Sequence, residues 1–105
     1  MPKFLFAYHG GHLPEGAEEV VGPQWKAWMD GLGAQGLDRG GPLHPTRTLR
    51  AGGVLDQTDP AREVTGYSVI EAADFEAALE IAKRCPQTRA PHENGTIEIC
   101  ELMEM

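Results

Sequence analysis

Apolar positions along the chain fall into blocks whose spacing changes from strand-like to helical and back. Residues 3–9 (KFLFAYH) carry apolar side chains on both alternating sets, Phe4/Phe6/Tyr8 and Leu5/Ala7, and end at Gly10-Gly11. That pattern predicts a buried strand needing cover on both faces of its sheet. Residues 14–35 predict a first helix. Pro14, Glu15, Glu18 and Glu19 suit its start, Trp25, Trp28, Met29 and Leu32 form one stripe, and Gly36 suits its stop. Gly22-Pro23 interrupts the stripe, so the helix is expected to kink or restart there.

Leu37–Gly40 reads as a short second strand ended by Gly41-Pro42. Thr46–Ala51 and Val54–Asp56 read as a hairpin turning at Gly52-Gly53, with a loop over 57–62. Val64–Glu71 (VTGYSVIE) is a third main strand rich in β-branched residues. Asp74 then caps a second helix. Phe75, Ala78, Leu79, Ala82 and Cys85 repeat at helical spacing, and Pro86 stops it. Ala77 stands where a capping box would place Glu, so the box is incomplete. Residues 96–103 (TIEICELM) close the chain as a strand, Ile97 and Ile99 facing one way and Cys100 and Leu102 the other. The fold class is α+β: a ferredoxin-like βαββαβ plan with an inserted hairpin, both helices on one face of an antiparallel sheet. Strands apolar on both sides imply that a second subunit covers the other face.

Composition sharpens that implication. Only 21 of 105 residues are Leu, Ile, Val or Phe, and another 21 are Gly or Pro. A chain this size buries roughly 60–70% of its unfolded surface, and so few large apolar side chains make a self-sufficient core doubtful. The length fits a single domain over 1–105.

Net charge is −7, and eleven of the sixteen carboxylates fall in residues 54–105. Nine dispersed basic residues argue against nucleic-acid binding and against anionic membrane surfaces. No apolar run approaches the ~20 residues of a membrane span, and the N-terminal run is too short for a signal peptide. Cys85 and Cys100 lack CxxC spacing and read as reduced, buried thiols of a cytoplasmic protein. Neither a metal nor a cofactor is expected.

The candidate chemistry has competing readings. His9-Gly10-Gly11-His12 could be a metal pair, a substrate-binding loop or plain strand-exit chemistry, and the last is the simplest. An esterase-type use lacks a nucleophile, since Ser68 is the chain's one serine and is not in a G-x-S-x-G context. Trp25 and Trp28 could stack a flat ligand or simply be core. Asp38, followed by Arg39-Gly40-Gly41-Pro42-Leu43-His44, places a carboxylate and an imidazole near a sheet end, as proton abstraction needs, or as a surface ion pair and turn would. Tyr67 could present its hydroxyl to a cleft or pack on the sheet. His92 reads as solvent-exposed.

Taken together, K-F-L-F-A-Y, W-K-A-W-M, G-G-P-L, G-Y-S-V-I-E-A-A-D-F-E-A-A-L-E-I-A-K-R-C-P and G-T-I-E-I, in that order, cover nearly the whole chain. The pattern resembles the YCII-related, DGPF-type proteins of the dimeric α/β barrel superfamily. The resemblance implies a ferredoxin-like subunit whose sheet pairs face to face with that of a second copy. Some members resemble lyases, a dehydrochlorinase among them, with a His–Asp pair near the cleft. Counted from Gly36, the helix position of that His is Trp25 here, while Asp38 lies in the stretch of the acid. Asp56-Gln57-Thr58-Asp59-Pro60 stands where the other branch carries Asp-Gly-Pro-Phe.

Three functions follow from these readings. The first is a homodimer binding a small, flat or aromatic molecule between the first helix and the sheet, walled by Trp25, Trp28 and Tyr67. The second is an eliminating enzyme with His9 or His44 as base and Asp38 orienting it. The third is an interaction module without a small-molecule site.

Overall fold

The computed structural model describes residues 1–55 and 59–104. In chain order the elements are β1 (Lys3–His9), α1 (Glu18–Leu32), β2 (Gly36–Pro42), β3 (Thr48–Arg50), β4 (Gly53–Leu55), β5 (Val64–Glu71), α2 (Phe75–Lys83) and β6 (Thr96–Glu101). The main sheet has the order β2-β5-β1-β6 with every neighbouring pair antiparallel. This is the expected ferredoxin-like plan, and β3–β4 forms a separate two-stranded hairpin.

Alternation along the strands separates two faces. Phe4, Phe6, Tyr8, Ser68 and Ile70 point to the helices and are buried. With Ala78, Ile81, Ala82, Cys85 and Leu32 they make the core, against which Trp25, Trp28, Met29, Ile97 and Ile99 pack. The register pairs Leu5 with Val69 and Cys100, and Ala7 with Tyr67 and Glu98, on the opposite, open face. Leu5, Ala7, Tyr67 and Val69 are only half-buried there.

Both helices start and stop for local reasons. In α1, Glu18 and Glu19 meet the positive end of the helix dipole, although the N-cap Ala17 offers no side-chain bond. The helix begins four residues later than the sequence pattern suggests, because Pro14–Ala17 forms a turn, Ala17 N–H donating to the Pro14 carbonyl. It does not restart at Gly22-Pro23, and Pro23 lies inside a continuous helix. The α-helix gives way at Gly33, φ 54°, to a 3-10 turn over Gly33–Gln35, which Gly36 ends as the sequence suggests. Asp74 caps α2 as expected, its carboxylate accepting from Ala77 N–H at 2.8 Å.

Four smaller expectations also shift. The hairpin turns at Ala51-Gly52, because Arg50 pairs with Gly53; Asp56 and the start of the 57–62 loop lie outside the described residues. Cys85 follows α2 rather than ending it. Cys100 is exposed on the open face, not buried. The last strand ends at Glu101, leaving Leu102 46% exposed.

Candidate functional site

A cavity of about 620 Å³ opens between α1 and the sheet. Its volume falls in the range of small-molecule sites. Tyr8, Leu13, Trp25, Met29 and Pro42 supply apolar surface, while His12, Lys26, Arg39, Gln87 and His92 supply polar groups.

The floor follows from glycines at the end of β1. Gly10 and Gly11 have φ of 61° and 72°. A Cβ on Gly11 would collide with the Gln87 side chain, and one on Gly10 with the Asn94 carbonyl. The tight exit lets Gln87, itself buried, donate to the His9 carbonyl at 3.0 Å. His9-Gly10-Gly11-His12 is thus strand-exit chemistry, and the same loop borders the cavity.

An aromatic cluster forms the wall. Trp25 meets Tyr8 edge-on at 5.2 Å between centroids, Trp28 at 5.9 Å and His92 at 5.8 Å. Its indole N–H donates to His92 Nε2 at 3.0 Å. An indole only donates, so Nε2 carries the lone pair, and Nδ1–H donates to the Gly11 carbonyl at 2.8 Å. His92 is therefore half-buried and fixed in one tautomer, rather than solvent-exposed as its loop context suggests. Sequence spacing gives no signal for this pairing across 67 residues.

Arg39 and Lys26 stand at the cavity with one carboxylate between them: Asp30 accepts from Arg39 at 2.8 Å and from Lys26 at 2.7 Å. These two hydrogen bonds, that from Lys26 the stronger, hold the Asp30 carboxyl below its usual range. Below the wall, Tyr8 Oη donates to Ser68 Oγ at 2.9 Å, and Ser68 Oγ donates to the Arg39 carbonyl at 2.9 Å. Burial pushes the Tyr8 phenol well above its ordinary value and the neighbouring Cys85 thiol up to about 12. Both stay neutral at physiological pH.

The residues singled out in the sequence are distributed over different places. Trp25 lines the cavity. Tyr67 borders it at the β5–β2 seam, although strand alternation turns its ring to the open face, where its hydroxyl meets Asp38 at 3.4 Å. Trp28 does not line it. It stacks on Phe6 at 6.4 Å and donates to the Ile81 carbonyl at 3.2 Å, tying α1 to α2. His9 sits on the open face between Glu98 at 3.0 Å and the Arg62 carbonyl at 3.1 Å. His44 is exposed. Asp38 accepts from Gly40 N–H at 2.8 Å, and among the described residues no histidine is a hydrogen-bond partner of its carboxylate.

The imidazoles that line the cavity are those of His12 and His92, not His9 or His44. His12 Nε2–H donates to the Pro60 carbonyl at 3.0 Å, and Glu63 lies 3.8 Å from the same nitrogen. The lone pair is then on Nδ1, for which no partner exists among the described residues. No group of three or more His, Cys, Asp or Glu among the described residues could hold a metal. Among them, too, no helix is long and apolar enough to cross a membrane.

Sheet order and helix placement define a ferredoxin-like α+β fold, here with a small-molecule-sized cavity under α1. A sequence model of the YCII-related domain matches residues 5–105, and the chain belongs to that family. Among solved structures it is similar to the 5-chloro-2-hydroxyhydroquinone dehydrochlorinase TftG from Burkholderia phenoliruptrix AC1100, in complex with 2,5-dihydroxybenzoquinone. The TM-score is 0.57 at 16% identity, over 100% of this chain and 96% of that one. At that identity the likeness speaks for the fold. No curated protein matches the sequence.

Proposed function

We propose that this protein binds a small planar aromatic molecule in the cavity between α1 and the sheet, as a homodimer. The observation that carries the ligand is the cavity itself: about 620 Å³, lined by the paired aromatics Tyr8 and Trp25 together with polar side chains. Such a slot suits a single ring flanked by hydroxyl or carboxyl groups. The fold neighbour, whose complex holds a dihydroxybenzoquinone, supports the same size and shape of ligand.

The homodimer is supported by shape. The molecule measures 41 × 39 × 19 Å, and its radius of gyration of 14.5 Å exceeds the ~13 Å of a compact chain this long. The half-buried apolar row of Leu5, Ala7 and Val69 lies on the broad open face, where a second sheet would complete its burial.

With Trp28→Phe leaving Trp25 as sole reporter, hydroxylated benzenes and benzoquinones are expected to quench its fluorescence saturably, and Trp25→Ala to abolish their binding. A panel of such compounds leaving the emission unchanged up to millimolar concentration refutes the ligand reading. Sedimentation equilibrium at micromolar concentration decides the dimer independently.

A second reading, elimination from the bound ligand, is favoured by His12. Its Nε2–H is held by the Pro60 carbonyl, with Glu63 at 3.8 Å, so Nδ1 is the base available to take a phenolic proton. Chloride release from a chlorinated hydroquinone, abolished by His12→Ala, tests it.

A further inference from the structure

Several independent features converge on Arg39. Arg39 lies within an irregularity of strand β2, the register slipping between Asp38 and Gly41. Such bulges re-aim a side chain next to a site. Gly40 sits at φ 67°, and any Cβ there would collide with the Tyr67 carbonyl. The Asp38 carboxylate closes the bulge by accepting from Gly40 N–H at 2.8 Å. From below, the Tyr8–Ser68 relay grips the Arg39 carbonyl. From α1, Asp30 steadies the guanidinium through one terminal nitrogen, leaving the rest of its donor fork unengaged among the described residues.

Charge around the cavity points the same way. Lys26 and Arg39 line the cavity and share a single ion-pair partner, Asp30, while Asp38 beside them commits its carboxylate to Gly40 N–H and the Tyr67 hydroxyl. Glu18 is the one acidic residue lining the cavity, and it stands eight residues before Lys26, about 12 Å away along α1. A ring held by Trp25 would therefore meet a cationic fork at one end.

We infer that Arg39 is the anchor for an anionic oxygen on the ligand, and that the ligand class is an aromatic oxyanion, an arene carboxylate or a phenolate. This rests on the aromatic-ligand reading above and specifies what that ligand must carry. A planar guanidinium suits the task, since it pairs with two acceptor positions at once.

Isothermal titration calorimetry with 4-hydroxybenzoate and its neutral isostere 4-hydroxybenzamide separates the two ideas, and 4-nitrophenol titrated across its own ionisation tests the phenolate source. Wild type is expected to prefer an ionised probe, and Arg39→Gln to weaken that probe about ten- to hundredfold while changing the amide less than about twofold. Arg39→Lys keeps the charge without the fork and is expected to lie between, which keeps the test valid if the Gln variant melts early. Trp25→Ala is expected to weaken charged and neutral probes alike. Equal binding of acid and amide to wild type, or equal weakening of both by Arg39→Gln, overturns the oxyanion assignment while Trp25-dependent binding leaves the aromatic reading standing. Absence of binding by every probe, charged and neutral, overturns both.

Discussion

Ser68→Ala should destabilise this protein more than its single lost hydroxyl suggests. Ser68 is wholly buried, accepts from Tyr8 Oη and donates to the Arg39 carbonyl, each at 2.9 Å. Removing a hydrogen bond costs about 1 kcal/mol, whereas stranding a buried partner costs about 1–3 kcal/mol. Ser68→Ala strands the Tyr8 hydroxyl, whose remaining neighbour, the Cys85 thiol, is a weak acceptor. Tyr8→Phe strands nothing comparable, because Ser68 still donates to Arg39. The expected losses are about 2–3 kcal/mol for Ser68→Ala and about 1 kcal/mol for Tyr8→Phe. In the double variant the phenyl ring that replaces the phenol needs no acceptor, so the combined loss falls below the sum by about 1 kcal/mol. Urea denaturation at one fixed protein concentration measures all three. A Ser68→Ala variant no less stable than Tyr8→Phe, or strictly additive effects, would show that the relay is not coupled.

Other consequences can be checked more briefly. Asp30 has its pKa lowered in the folded state by hydrogen bonds from Lys26 and Arg39. A depressed carboxyl stabilises the fold above its unfolded pKa and loses that contribution as pH falls through the folded one, below the usual carboxylate range. Carbon-detected NMR titration should therefore show Asp30 titrating late on acidification, and earlier in Arg39→Gln. Cys85, pushed up to about 12 by burial, should be inert to thiol reagents; in a Cys100→Ser background no thiol reacts in the folded protein, and the Cys85 thiol reacts after denaturation. Asp74→Ala removes the side-chain cap on Ala77 N–H and should cost about 1 kcal/mol by the same urea assay.

What is legible in the sequence is what periodicity encodes. The apolar run of β1, the β-branched run of β5 and the Asp74 cap with its helical stripe are local signals; both strands and the start of α2 lie where those signals place them. The start of α1 escapes the pattern because Pro14 and acidic residues suit the first turn of a helix and an isolated turn alike. Its end at Gly36 is legible, but the change from α to 3-10 geometry at Gly33 is not, because backbone dihedrals and not composition set it. The cavity is legible only through Trp25 and the glycines after β1. His92, Arg39 and Gln87 join it across separations of up to 81 residues, and no spacing rule reaches that far. Likewise Trp28 shares the Trp25 stripe, yet a rotation of about 300° over three residues is enough to set it against Phe6 and Ile81.

The change at Trp25 bears on where chemistry could reside. The family resemblance of the sequence implies a histidine, a group able to accept a proton, at this helix position. An indole cannot, and here it occupies a second lone pair by donating to His92 Nε2. Neither Trp25 nor His92 then offers the cavity a base. Asp38, in the stretch of the acid, commits its carboxylate to Gly40 N–H and the Tyr67 hydroxyl, shaping the bulge that carries Arg39. Where the resemblance implies a proton-transferring pair, helix and strand here bring an aromatic wall and the Arg39 guanidinium to the cavity. Of the two histidines lining the cavity, His12 alone keeps a nitrogen lone pair uncommitted. A His12→Ala variant should therefore retain binding of the aromatic probes by calorimetry, and a variant that loses it would show that this imidazole belongs to the ligand's wall rather than to its chemistry.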